Sequence, residues 1–216
     1  MAGVDKIMAP LLGRSLIAYS LEVFDASPLV DRIVLVVSED RVLACNRLVA
    51  ENGFDKVVEV RTGGERRQDS VRRGLEALAN SSWVLVHDGA RPCVDLGLIE
   101  TGLLEARETG AATAAVPVKD TIKRAGRNRV VAETLVRDGL WAVQTPQVFR
   151  ADILIAAHKR VSDDVTDDAS MVELCDGQVR MFMGSYDNIK VTTPEDLRMA
   201  ESIMKARGHG VPGGAG

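Results

Sequence analysis

The sequence predicts an α/β fold, a three-layer sandwich around a mainly parallel sheet. Three observations lead there. Short apolar, β-branched runs alternate with segments of helical periodicity through most of the chain. The run at 83–86 (WVLV) is bounded by turn residues, as a strand buried on both faces should be. Asp88, Gly89, Ala90 and Arg91 follow it almost at once and Pro92 stops the segment, which puts an acid and a base where such sheets gather ligands.

The elements follow in order. Residues 1–11 carry no strand signal, so the buried strand that usually opens an α/β domain is missing from the start. Ile17, Leu21 and Phe24 recur at helical spacing over 14–24. Residues 33–37 (IVLVV) read as an interior strand, 41–51 as a helix ended by Asn52-Gly53, and 57–60 as a second strand. Thr62-Gly63-Gly64 is a loop before a helix over 65–79, a helix start whose N–H groups attract anions and polar ligand groups. Ser70 and the cluster Arg66, Arg67, Gln68 favour a binding role, while a solvated helix face explains Arg66 and Arg67 equally simply.

A helix over 96–106, closed by Gly110, leads to a buried strand at 111–118. The pattern then breaks. Residues 120–135 are polar and β-prone around a Gly126-Arg127-Asn128 turn, which predicts a protruding β-arm at about residues 118–140 whose apolar residues need a second subunit. Core character returns at 139–149, interrupted by Thr145-Pro146-Gln147. A helix spans 151–160. The acidic run 163–168 opens another helix, where the dipole alone accounts for most of the acids. A strand at 179–183 follows, with Met181 and Met183 read as core. The last helix runs from Thr193 to about Ala206, with Thr193 as N-cap, Pro194 first and Asp196 third. Residues 1–206 thus form one domain, and 207–216 read as a disordered tail.

Composition narrows the function. A formal net charge of -4 argues against generic nucleic-acid binding. No segment approaches the ~20 apolar residues of a membrane span and no signal peptide opens the chain. Cys45, Cys93 and Cys175 lie far apart, without metal-ligand spacing, which suits a reducing, cytoplasmic setting. Lys6, Arg91, Arg137 and Lys190 stand in loops or at strand ends, the positive charge that phosphoryl and nucleotidyl transfer demand. Asp88 could serve a divalent ion, and Thr121, Thr145 and Thr166 could orient a phosphate or ribose. His87 has no Ser or Cys partner at recognisable spacing and reads as a strand-end residue; His158 and His209 read as surface residues.

The segments TGGERRQDSV, VLVHDGARP, PVKDTIKR, RDGLWAVQTPQVF, TDDAS and DNIKVTTPEDL occur in this order. Together they resemble the 2-C-methyl-D-erythritol 4-phosphate cytidylyltransferases of the non-mevalonate isoprenoid pathway, over most of the chain. The resemblance implies a Rossmann-like fold of the nucleotide-diphospho-sugar transferase type. It implies that CTP and methylerythritol phosphate react, with Mg2+, to give the cytidine diphosphate derivative and pyrophosphate. It implies roles as well. Lys6 and Lys190 match the catalytic lysines at the α-phosphate. Gly64, Glu65 and Ser70 match the segment that reads cytosine and ribose, with Glu65 where Asp is common. Asp88 and Gly89 match the nucleotide and metal element, with Gly89 where Ala is usual. Arg91, Thr121, Arg137, Thr145 and Thr166 match groups that hold the sugar phosphate. Thr121 and Arg137 would come from the partner of a homodimer formed through the arm.

One departure stands out. The family opens with a strand and a glycine-rich triphosphate loop, PAAGxGxRM, and Met1 aligns with the methionine that ends it. The resemblance therefore implies a natural start upstream, and in the chain as written the edges of two neighbouring strands would be exposed. Two other readings stand beside the first: a ribitol-5-phosphate or related polyol-phosphate cytidylyltransferase, and a non-catalytic dimeric homologue. A fused cyclase partner after the glycine-rich end is the less favoured expectation.

Overall fold

The computed structural model describes residues 7–78 and 80–209. A small hairpin opens it: β1 (Pro10–Leu11) pairs antiparallel with β2 (Arg14–Ser15). Its turn holds Leu12 at φ 48° and Gly13 at φ 84°, a region that glycine enters freely and leucine rarely. Two-residue strands are too short to show an alternation, which is why the sequence carries no signal for them. Then come α1 (Leu16–Ala26), β3 (Ile33–Val37), α2 (Val42–Asn52) and β4 (Val57–Thr62). Gly53 ends α2 at φ 63°, as the Asn-Gly pair predicts.

The chain continues through α3 (Arg67–Ala77), β5 (Trp83–Val86), α4 (Leu96–Thr109) and β6 (Ala111–Pro117). The arm is the hairpin β7 (Lys123–Ala125) with β8 (Val131–Thr134). Last are β9 (Trp141–Arg150), α5 (Ala151–Arg160), α6 (Asp168–Glu173), β10 (Arg180–Met183) and α7 (Pro194–Ala206).

The main sheet has the order β10-β6-β9-β5. β6 and the second half of β9 are buried between two helical layers. On one face Leu98, Ile99 and Ala106 of α4 pack on Ala112, Ala114, Val148 and Phe182. On the other, Leu75, Leu154 and Met171 of α3, α5 and α6 pack on Val84, Ala111 and Phe149. The α/β layering is as the sequence predicts, with one departure. β10 runs parallel to β6, but β9 runs antiparallel to both β6 and β5, so the main sheet is mixed. No helix crosses the sheet between β6 and β9; the arm returns the chain directly, and a direct return reverses direction.

Within β9 the register slips. Thr113 faces Gln147 and Ala115 faces Val143, so residues 144–146 stand opposite Ala114 alone. Such bulges re-aim side chains, and this one points Thr145 toward the turn after β5.

β3 and β4 pair parallel in a sheet of their own. A cavity of about 650 Å³ separates them from the main sheet, lined by Ile33, Leu35 and Val36 on one side and Trp83, Val84 and Val86 on the other. The edges of β3 and β5 both face it.

Three expectations need correction. Met181 and Met183 are 47% and 58% exposed, and it is Phe182 between them that packs under α4; the opposite face of this edge strand has no cover. His158 is buried, because it lies on the face of α5 that packs on α6. Arg207 and His209 are held in place and are not part of a loose tail. Arg207 Nη1 donates to the Cys93 carbonyl at 2.8 Å, and the His209 ring meets Tyr19 edge-on at 5.6 Å. Among the described residues, no helix is long and apolar enough to cross a membrane.

Candidate active site

The site forms where the turn after β5 meets the segment after β10. Arg91 N–H donates to the Asp88 carbonyl at 3.0 Å, which closes the turn. Val191 N–H donates to the Ala90 carbonyl at 2.8 Å, lashing the later segment alongside. Arg91 Nη1 donates to the Asn188 carbonyl at 2.7 Å, and Asn188 Nδ2 donates to the Thr145 carbonyl at 2.7 Å. Three distant segments are thereby fixed, and Lys190 lands with Nζ 2.9 Å from Asp88 Oδ2.

His87 and Thr145 set the backbone of Asp88. Asp88 N–H donates to Thr145 Oγ1 at 3.0 Å, and that hydroxyl lies 3.0 Å from His87 Nδ1. His87 Nε2 lies 3.2 Å from the Arg91 carbonyl, which can only accept. The proton therefore sits on Nε2, and Nδ1 takes the Thr145 hydroxyl hydrogen. Burial lowers the imidazole to about 4, so it is neutral at physiological pH. Its work is to hold a turn.

Around Asp88 the charges alternate. Lys190 approaches Oδ2, Arg67 Nε stands 3.5 Å from Oδ1, and Arg91 Nε stands 3.6 Å from Oδ2. Burial alone would raise the Asp88 carboxyl, but Lys190, Arg67 and Arg91 outweigh it and hold it below the ordinary carboxylate range. Burial likewise lowers Arg91, with Asp88 opposing. Arg67 reaches a second acid: Nη1 lies 2.6 Å from Asp168 Oδ2, and Asp168 Oδ1 lies 3.1 Å from Nε2 of buried His158.

Two hollows meet here. A cleft of about 200 Å³ is lined by Asp88, Arg91, Thr145, Thr166, Asp167 and Lys190, among others. Ser70 and Gly89 line the 650 Å³ cavity, and Arg67 and Asp88 line both. Gly64 lies at the start of α3, its N–H donating to Ser70 Oγ at 3.1 Å, and Glu65 beside it is exposed. Of the expected residues, then, Asp88, Gly89, Arg91, Thr145, Thr166, Lys190 and Ser70 converge, with Gly64 and Glu65 at the edge. Thr121 and Arg137 stay apart: both are exposed at the root of the arm, where Arg137 Nη1 donates to the Lys119 carbonyl. Lys6 lies outside the described residues.

Comparison with known proteins decides the family. Residues 1–206 match the family described as 2-C-methyl-D-erythritol 4-phosphate cytidylyltransferase. A protein of that name from Dehalococcoides mccartyi is 51% identical over 205 residues, 95% of this chain and 90% of its own length. The chain belongs to this cytidylyltransferase family.

Solved structures agree with the fold. The crystal structure of 2-C-methyl-D-erythritol 4-phosphate cytidylyltransferase from Thermus thermophilus superposes with a TM-score of 0.79 at 32% identity, covering 93% of this chain and 94% of that one. The 4-diphosphocytidyl-2C-methyl-D-erythritol synthase from Anaerococcus prevotii gives a TM-score of 0.84 at 29% identity, covering 92% and 93%.

For this member of the cytidylyltransferase family, sequence reasoning missed the parts played by Asp168 and His158. The acidic run hid the first, because its neighbours Asp163 and Asp164 are exposed as expected. The signal for the second was its place on the α5 face shared with Leu154 and Ala157. Among the described residues no cluster of three His, Cys, Asp or Glu side chains could cage a metal ion. A lone carboxylate such as Asp88 would suit magnesium, which is commonly held by one or two protein carboxylates together with substrate phosphates.

Proposed function

We propose that the chain transfers the cytidylyl group of CTP to 2-C-methyl-D-erythritol 4-phosphate and releases pyrophosphate. The observation that carries this reading is Lys190 and Arg91 converging on Asp88 beside a cleft that continues to Ser70 and the start of α3. A nucleoside triphosphate needs such a path, with polar groups for base and ribose at one end and cations at the other.

In this reading Gly64, Glu65 and Ser70 receive cytosine and ribose. Thr145 and Thr166 border the acceptor, and Arg91 faces its phosphate. The acceptor phosphate oxygen attacks the α-phosphorus in line, its bond to pyrophosphate breaks, and the enzyme forms no covalent intermediate. Lys190, joined by Lys6, stabilises the charge on the crowded phosphorus. Asp88 would contribute one ligand to magnesium, which when bound would neutralise phosphate charge. Residues 1–206 act as one domain. The chain works as a homodimer through the arm, where Val130, Val131 and Val136 are 69%, 54% and 78% exposed and need cover. Thr121 and Arg137 would then serve the partner's acceptor site.

Pyrophosphate release from CTP tests the reading, with methylerythritol phosphate or ribitol 5-phosphate as acceptor and magnesium present. Release with the first acceptor, lost in Lys190→Ala, supports it. Release with ribitol 5-phosphate alone, or with neither acceptor, overturns it.

A further inference from the structure

We propose that Asp168, seated by His158, is a positioning residue that anchors Arg67 and so fixes the nucleotide side of the cleft against Asp88. The inference rests on the cytidylyl-transfer reading only for its kinetic part.

α3 follows β4 and packs on the β3–β4 pair, whereas Asp88 follows β5 in the main sheet. Among the described residues no strand pairing joins these two sheets. The alignment of Ser70 with Asp88 therefore rests on side-chain packing, by Leu75 of α3 and Ile33 of β3, and on what the first turn of α3 holds. That turn is docked by side chains. Gln68, which is buried, donates through Nε2 to the Asp163 carbonyl at 3.1 Å and accepts from Val165 N–H at 3.2 Å. Arg67 makes the only one of these links that continues into the cleft. Its Nη1 is held by Asp168 at 2.6 Å, and its Nε faces Asp88 at 3.5 Å.

Asp168 is suited to the task. Its side chain is 1% exposed and His158 is 2% exposed, so neither is shared with bulk water. The carboxylate accepts on both oxygens, from Arg67 on one and from His158 Nε2–H on the other. Among the described residues His158 Nδ1 has no hydrogen-bond partner, so the ring bonds Asp168 alone there. A guanidinium held through Nη1 by a buried, doubly bonded carboxylate meets Asp88 through Nε alone, at 3.5 Å. Without that hold, Arg67 would close on Asp88 as its remaining acid and compete with Lys190 for the carboxylate. A buried pair of this kind is a weak source of stability but a strong source of geometry.

The test uses the full chain and the variants Asp168→Asn, Arg67→Met, His158→Leu and His158→Gln. Asp168→Asn should raise the KM for CTP about tenfold, the factor expected for a lost charge-assisted hydrogen bond. The KM for the acceptor should rise less than that for CTP, since Arg67 borders both hollows but opens the helix that carries Ser70. His158→Leu, near in volume but without a donor, should raise the KM for CTP in the same direction. His158→Gln, whose amide can donate, should restore it. A lower Tm for His158→Leu with an unchanged KM for CTP would reduce the pair to packing and overturn the proposal. A double-mutant cycle of Arg67→Met with Asp168→Asn, read by urea unfolding, tests the anchor without turnover. Additive effects there overturn the proposal whatever the chain catalyses. Coupling without cytidylyl transfer would overturn the functional reading alone.

Discussion

The ammonium of Lys190 rests 2.9 Å from Asp88 Oδ2, although the two residues belong to opposite halves of the chain. The contact follows from backbone: Val191 N–H bonds the Ala90 carbonyl, which brings Lys190 alongside the turn that carries Asp88 two residues earlier. In this state the lysine neutralises the acid. In the proposed reading an incoming triphosphate would offer Lys190 a more highly charged partner and would free Asp88.

Lys190→Ala should therefore lower kcat by about 10²–10³, the usual effect of removing one preorganised donor to a transition state. Steady-state pyrophosphate release checks this. A change of less than about threefold would place Lys190 outside the chemistry.

Gly64→Ala should impair the nucleotide side. A Cβ at this position would lie 2.4 Å from Asp69 Cβ and 3.2 Å from the Asp69 carbonyl carbon. Neither is the free end of a flexible chain, so the start of α3 must move and carry Ser70 and Arg67 with it. Overpacking of this kind costs about 1–3 kcal/mol. Calorimetric titration with CTP should show affinity down by about tenfold or more, and an unchanged affinity would mean that the loop yields without moving the helix.

Asp196 should support α7 at neutral pH and cease to do so in acid. Its carboxylate accepts from Thr192 Oγ1 at 2.7 Å and from the N–H groups of Thr192 and Thr193 at 2.8 Å each. These bonds, the Thr192 hydroxyl first, lower its pKa to about 2. The folded chain thus binds the proton less readily than the unfolded one, so the contribution is complete above the unfolded value near 3.9 and is lost as pH falls through about 2. Asp196→Ala should cost about 1 kcal/mol at pH 7, as caps do. Urea midpoints of the two proteins should converge toward pH 2, and a constant difference would assign the effect to something other than the charge.

Val136→Asp should weaken self-association. Val136 is 78% exposed on the arm, and a carboxylate there would have to be buried on any partner surface. Sedimentation velocity should show a dimer for the natural sequence and a monomer for the variant. A natural chain that sediments as a monomer would leave the arm without the proposed task.

Much of this was legible in the sequence because periodicity and turn chemistry agree along the chain. α5 spans the predicted residues 151–160, and α7 begins with its predicted cap at Thr193, first-turn Pro194 and Asp196. The meeting of charged side chains at Asp88 was legible because a short apolar strand ending in polar residues marks the end of a sheet where ligands gather. The direction of β9 was not, since an apolar run looks the same read either way. Nor was the exposure of Met181 and Met183, because alternation identifies two faces without saying which is covered. His158 and Asp168 pair across ten positions through tertiary packing, and no local spacing announces such a contact.

The hollow between β3 and β5 bears on how the cleft grips a ligand. Among the described residues no inter-strand bond ties the β3–β4 ribbon to the main sheet, so side-chain packing and the docked first turn of α3 set its alignment. A molecule long enough to touch the start of α3 and Lys190 together would span that seam. Such a ligand would act as a rivet, stiffening the very surface that receives it.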